Sequence, residues 1–137
     1  MSTRFSQKRQ SILNCLINTT AHPSAEWVYA TLKPHYPNLS LGTVYRNIHQ
    51  LVKTGKIVSL GVVANKERFD ARCEPHTHAV CNVCGKIVDV DSVSLSADVI
   101  NAAQNNTGFK ISYSNLCFFG VCSECANAVS ENQNQQN

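Results

Sequence analysis

An α+β fold in two parts is what the sequence predicts: three helices and a β-hairpin, then a small α/β domain organised around four cysteines. Three observations lead there. Apolar residues recur at helical spacing three times in the first half of the chain and then switch to a strand-like period. Two CxxC pairs, Cys81/Cys84 and Cys122/Cys125, are far enough apart to enclose a small fold. Charge is also divided unevenly, with ten Lys/Arg against three Asp/Glu from Met1 to Arg72, but two against six from Cys73 to Asn137. Those halves carry +7 and −4, which give the net charge of +3. A basic front half joined to an acidic back half points to a nucleic-acid domain joined to one of another purpose.

Each element follows from local chemistry. From about Gln7 to Asn18, the residues Ile12, Leu13, Leu16 and Ile17 recur at helical spacing. The loop Thr19–Pro23 stops that helix, and Ser24 can cap a second one carrying Ala25, Val28 and Leu32 on one face. Pro34 and Pro37 end the second helix, and Ser40 can cap a third. Its apolar stripe is Leu41, Val44, Ile48, Leu51 and Val52, with Gly55 in the C′ position. Ile57–Val62 then reads as a strand, Ala64–Lys66 as a turn and Glu67–Asp70 as the returning strand. Helix, helix, helix, hairpin is the order of a winged helix, whose third helix enters the major groove.

Burying that stripe should turn Thr43, Arg46, Asn47 and Gln50 outward, with Tyr45 at the boundary. Arg, Asn and Gln are side chains that pair with base edges, and Thr and Tyr can touch a thymine methyl. Lys66 and Arg68 in the wing, and Arg4, Lys8 and Arg9 at the start, would add phosphate or minor-groove contacts. The expected partner is double-stranded DNA.

A linker at about 71–75 leads into the second domain, so the expected layout is 1–72, 76–129 and a polar, disordered tail at 130–137. Ile87–Val90 reads as a short strand. Ser96–Asn106 reads as a helix burying Val99, Ile100 and Ala103 and stopped at Gly108, and Phe109–Phe119 as one long strand-like run. So small a domain would gain its missing burial by packing against a second copy as a homodimer.

The four thiolates of Cys81, Cys84, Cys122 and Cys125 would close a tetrahedron around structural Zn²⁺, leaving no open position. The alternative is a pair of disulfides or unrelated buried thiols. The polar start and the lack of a membrane-length apolar run predict a cytoplasmic chain with reduced thiols, which favours the metal. Strand alternation puts His76 and His78 on one face, where two imidazoles suggest a second site of nitrogen and oxygen donors. Cys15 and Cys117 read as packing residues. Cys73, between Asp70 and His76, could bring a thiolate to that second site and turn it toward zinc. No P-loop, dinucleotide fingerprint, nucleophile elbow or deaminase signature is present, and a closed thiolate site offers no catalytic zinc, so no enzyme is expected. A protein-binding zinc ribbon would leave the basic first half unexplained.

His22-Pro23-Ser24-Ala25, Thr43–Asn47, Arg68-Phe69-Asp70, His76–Lys86 and Gly120–Cys125 together resemble the ferric uptake regulator family over about Arg4 to Ala126. The resemblance implies a homodimeric, metal-dependent repressor that binds inverted-repeat operator DNA. It also implies a four-cysteine structural zinc and a regulatory metal held between the two domains. Within the family, the chain is most similar to the peroxide-sensing branch. That branch's regulatory ligands correspond to His22, Asp70, His76, His78 and Asp89, all present here. Asp89, where iron sensors have Glu, and the His-Thr-His spacing both favour that branch over iron sensing. Three imidazoles and two carboxylates suit Fe²⁺ or Mn²⁺. The resemblance implies that peroxide, the only small-molecule signal expected, oxidises His22 or His76 at the iron-loaded site and releases the DNA. An iron- or zinc-responsive repressor is the alternative.

Overall fold

The computed structural model describes the backbone of residues 3–134 and the side chains of residues 7–128. The chain forms two compact units, Met1–Cys73 and Glu74–Asn137. In the first, helices α1 (Thr3–Ile17), α2 (Ala25–Leu32) and α3 (Leu41–Lys53) precede strands β1 (Val58–Val63) and β2 (Lys66–Asp70). Ser24 Oγ accepts from Trp27 N at 3.2 Å and Ser40 Oγ from Thr43 N at 3.1 Å, so both helices start on side-chain caps. Gly55, just past α3, has φ 76°, the left-handed conformation that ends a helix without a Cβ penalty.

Val44, Ile48 and Leu51 of α3 pack with Ile12 and Leu16 of α1 and Val28 of α2, and Phe69 of β2 closes the same core. β1 and β2 pair antiparallel from Val58↔Asp70 to Val63↔Lys66, with an irregularity between Ser59 and Gly61. At the turn, Ala64 and Asn65 both have positive φ, 52° and 68°, as a tight hairpin turn with the twist of its strands requires. Three helices followed by a two-stranded wing form the winged helix. The α1 backbone is helical from Thr3, four residues earlier than the periodicity indicated.

The second unit has β3 (Thr77–Cys81), β4 (Ile87–Val90), α4 (Ala97–Thr107), β5 (Cys117–Gly120) and α5 (Ser123–Asn134). Its sheet order is β4-β3-β5, with β4 antiparallel and β5 parallel to β3. Thr77, Val80, Cys81 and Ile87 are buried, all on the central strand or its antiparallel neighbour. Ser96 caps α4 through Val99 N, and Gly108 ends it at φ 73°.

Three expectations fail in this unit. Phe109–Phe119 is not one strand, because only Cys117–Gly120 has a neighbour to pair with, while Ile111 N donates to Gln104 Oε1 of α4 at 3.0 Å. The α4 stripe does not go inside. Among the described residues α4 buries none, and Val99 is 52% exposed, because no element of this unit covers that face. Of the tail expected to be disordered at 130–137, the backbone to Asn134 is helical, since α5 starts inside the second CxxC pair and propagates through it, and residues 135–137 lie outside the described residues. Among the described residues no helix is long and apolar enough to cross a membrane.

Candidate metal centres and nucleic-acid interface

Cys81 ends β3, and the turn that follows carries Cys84, while Cys122 and Cys125 lie at the start of α5. Parallel pairing of β5 with β3, in the register Cys81↔Gly120, carries the second cysteine pair to the first. The four sulphurs lie within 4.8 Å of one another, and Cys84 Sγ is 3.8 Å from Cys122 Sγ. A tetrahedron with Zn–S bonds of about 2.3 Å has edges of about 3.8 Å, so the spacing fits an ion and is too long for a disulfide. All the cysteines are free thiols, which overturns the disulfide alternative. Backbone N–H groups of Val83, Cys84 and Cys122 lie 3.4, 3.5 and 3.4 Å from Cys81 Sγ. Donation from Cys84 and Cys122 above all pulls the Cys81 thiol down to about 6, so this ligand is poised as thiolate. The hydrogen bond with Cys122 pushes Cys125 the other way, to about 12.

The nitrogen and oxygen donors form one cluster in each unit. In the first unit, His22 precedes Pro23 in the loop before α2, is 4% exposed and has φ 51°. A non-glycine residue held there costs about 1–3 kcal/mol and persists only where its surroundings hold it. Those surroundings are β2. Arg68 Nε donates to the His22 carbonyl, Arg68 Nη2 donates to the Ala21 carbonyl at 2.8 Å, and Phe69 N donates to the Pro23 carbonyl at 3.0 Å. Asp70 Oδ2 lies 3.3 Å from His22 Nε2.

In the second unit, His78 pairs directly with Asp89 across β3 and β4, and the His76 ring lies against that of His78, with centroids 4.2 Å apart and planes tilted by 53°. Asp89 Oδ1 is 3.0 Å from His76 Nε2 and 3.3 Å from His78 Nε2. The Glu74 carbonyl lies 2.7 Å from His76 Nδ1, which fixes the ring and directs Nε2 toward the carboxylate. Adjacent ligands at about 2.1 Å around an octahedral ion stand about 3 Å apart, so both clusters have ligand-like spacing. Their donors are imidazole nitrogens and carboxylate oxygens without a thiolate, a set suited to Fe²⁺ or Mn²⁺. Cys73 Sγ donates to the carbonyls of Gly55 (3.5 Å) and Ala71 (3.6 Å).

The residues expected to read DNA divide. Arg46 and Lys66 are exposed, and Thr43, Tyr45 and Gln50 are half-buried. Arg46 Nη2 donates to Thr43 Oγ1 at 3.0 Å, bracing it on the first turns of α3. Tyr45 Oη donates to Glu26 Oε1 at 2.6 Å, which ties the boundary of the reading helix to α2. That bond holds Glu26 below the usual carboxylate range and Tyr45 above the usual phenol range.

Asn47 departs from the expectation, and Arg68 is engaged within its own unit. Asn47 is 0% exposed and cannot reach a base, because it stands three residues after Val44 and four before Leu51, on the buried stripe. Its Oδ1 accepts from Arg9 Nε at 3.2 Å and its Nδ2 donates to the Thr43 carbonyl at 2.9 Å, so Arg9 also binds inward. Arg68 turns two donors to the His22 loop rather than outward. Period-two alternation puts Arg68 beside Asp70 and opposite the buried Phe69, and this signal could have revealed its role. The side chain of Arg4 lies outside the described residues. Glu26, which the sequence reading passed over, carries no local mark, since its partner is on another helix.

Comparison with known proteins agrees with this arrangement. The pattern of the ferric uptake regulator family matches residues 1–119. The chain is 39% identical over 123 residues to the peroxide operon regulator of Bacillus subtilis, covering 90% of this chain and 84% of that one. It is 35% identical over 122 residues to the peroxide-responsive repressor PerR of Staphylococcus aureus, covering 89% and 82%. Among solved structures, the Campylobacter jejuni peroxide stress regulator is similar with a TM-score of 0.70 and 28% identity, over 89% of this chain and 91% of that one. The Helicobacter pylori ferric uptake regulator is similar with a TM-score of 0.71 and 25% identity, over 88% and 82%. With its winged helix, its four-sulphur cluster and this extent of sequence similarity, the chain belongs to the ferric uptake regulator family.

Proposed function

We propose that the protein is a metal-dependent transcriptional repressor that senses peroxide and binds an inverted-repeat operator as a homodimer in the cytoplasm. The single observation carrying the reading is the ligand-like spacing of two imidazole–carboxylate clusters, one in each unit, in a chain whose relatives are peroxide-responsive regulators. In this reading His22 and Asp70 share one Fe²⁺ or Mn²⁺ with His76, His78 and Asp89. An ion held by both units favours one arrangement of them, so metal binding and DNA binding are thermodynamically coupled. Structural Zn²⁺ is held by Cys81, Cys84, Cys122 and Cys125. Arg46, Thr43, Tyr45 and Gln50 face the bases, and Lys66 meets phosphate.

When bound, Fe²⁺ supplies the redox chemistry that activates hydrogen peroxide, which Mn²⁺ does far less readily. His22 and His76 are the residues that record the event. At the iron-loaded site a ring carbon of His22 or His76 would take up one peroxide oxygen while the other left as water, and the oxidised imidazole would be a poorer ligand. Exposed apolar residues of the second unit, including Val99, Phe118 and Phe119, supply apolar surface for packing against a second copy.

The test is operator binding by protein loaded with Fe²⁺, Mn²⁺ or Zn²⁺, each before and after a short peroxide pulse, with peptide mass spectrometry. Peroxide should release only the Fe²⁺ form and add one oxygen to a peptide containing His22 or His76. A Cys15/Cys73/Cys117 triple serine variant should respond like wild type. Unmodified histidine peptides together with a variant deaf to peroxide would make a thiol the sensor. Operator binding driven by Zn²⁺ and indifferent to peroxide would establish a zinc-responsive repressor instead.

A further inference from the structure

Three consecutive residues of β2 fasten one loop. Arg68 donates to two successive carbonyls, Ala21 and His22, the Phe69 amide donates to Pro23, and the Asp70 carboxylate faces the His22 ring. Resting on the metal reading above, we propose that Arg68 is a positioning residue for the ligand His22, holding its backbone in the left-handed conformation that presents Nε2 beside Asp70. Arg68 therefore serves the regulatory metal before it serves DNA.

A guanidinium suits this task because its planar fork offers parallel donors, here shared between neighbouring peptide carbonyls. Those carbonyls point the same way only while the loop keeps its bend at His22, so the bond pair reports and enforces that bend. A phosphate contact needs donors facing solvent, whereas two of the nitrogens of half-buried Arg68, Nε and Nη2, are engaged with the loop. Lys66, two residues earlier at the exposed start of the strand, is the wing cation placed for phosphate. Because β2 is also half of the wing, the loop bearing the metal ligand and the hairpin bearing Lys66 form one fastened piece.

The experiment uses full-length, zinc-loaded Arg68→Ala and Arg68→Lys, with Lys66→Ala and His22→Ala for comparison. Three quantities are measured: Mn²⁺ affinity without DNA, salt-dependent binding at saturating Mn²⁺ to an inverted-repeat duplex selected by the wild-type protein, and amide exchange of Phe69 without Mn²⁺. Arg68→Ala should weaken Mn²⁺ binding about 10–100-fold, the range for residues that support a ligand. It should speed Phe69 exchange and leave both DNA affinity at saturating Mn²⁺ and its salt slope unchanged. Arg68→Lys, gripping one carbonyl, should lose less. Lys66→Ala should do the opposite, keeping Mn²⁺ affinity while its salt slope falls by about 1.

Wild-type Mn²⁺ affinity in both Arg68 variants, or a reduced salt slope like that of Lys66→Ala, overturns the proposal. If Arg68→Ala fails to fold, Arg68→Lys decides by the same criteria. Unchanged Mn²⁺ affinity in His22→Ala would instead refute the metal reading itself, and Phe69 exchange would still show whether Arg68 holds the loop.

Discussion

Phe69 in the first unit is 0% exposed, and Phe119 in the second is 67% exposed, although both stand on strands. The first is surrounded by three helices whose stripes converge on it, so its ring is buried from every side. The second lies on an edge strand, and α4 buries none of its residues among those described. Burial alone can hold the first unit. The second must draw on something besides burial, and its four converging sulphurs show what that is. Structural zinc is therefore a need of the second unit and not of the first, and the proposed second copy would add burial to that same unit.

The largest effect should come from removing the metal. Apparent zinc binding in small zinc domains amounts to about 10–16 kcal/mol, comparable with or above the whole stability of an ordinary domain. Cys84→Ser should unfold the second unit and abolish the dimer while the amides of α3 stay protected from exchange. Uniform loss of protection in both units would show that they fold as one, and a dimeric variant with full zinc content would refute the metal assignment.

A smaller effect sharpens the contrast from the other side. Phe69→Ala should cost the first unit about 3–5 kcal/mol by loss of transfer energy and creation of a cavity. Phe119→Ala should leave the melting of the first unit unchanged and shift the monomer–dimer equilibrium toward monomer. Equal losses of thermal stability from the two changes, at a concentration where both proteins are monomeric, would erase the distinction.

The smallest effect lies in the first unit's Tyr45–Glu26 bond. Its carboxylate is held below the ordinary range by the Tyr45 hydroxyl, so the associated stability is present above about pH 4.3 and fades as pH falls further. Tyr45 is held above its ordinary range, chiefly by the same bond, so stability present below about pH 10 is lost as pH rises through the shifted value. Tyr45→Phe should flatten both limbs without changing zinc content. A variant whose acid and alkaline limbs match wild type would show that this bond contributes nothing.

Much of the α+β architecture was legible because it is written locally. Ser24, Ser40 and Ser96 each accept from an amide three residues on, and helical stripes and strand alternation repeat over a few residues. The CxxC pairs and the His76–His78 alternation are short-range patterns of the same kind, and the structure gathers both sets of donor atoms. What escaped the sequence spans long separations. Asn47 stands at a buried position of the stripe, and what its polar side chain does there was hidden because its partner Arg9 is 38 residues away. Arg68 reads as a wing cation until the carbonyl of His22, 46 residues away, takes its proton donor. The exposure of α4 escaped as well, because its apolar stripe signals that a partner is needed without saying where one is. Periodicity, caps and ligand spacing are decided by neighbours in sequence, so sequence alone determined them. Which buried polar group finds which partner depends on how helices and strands pack, and only the tertiary structure decided that.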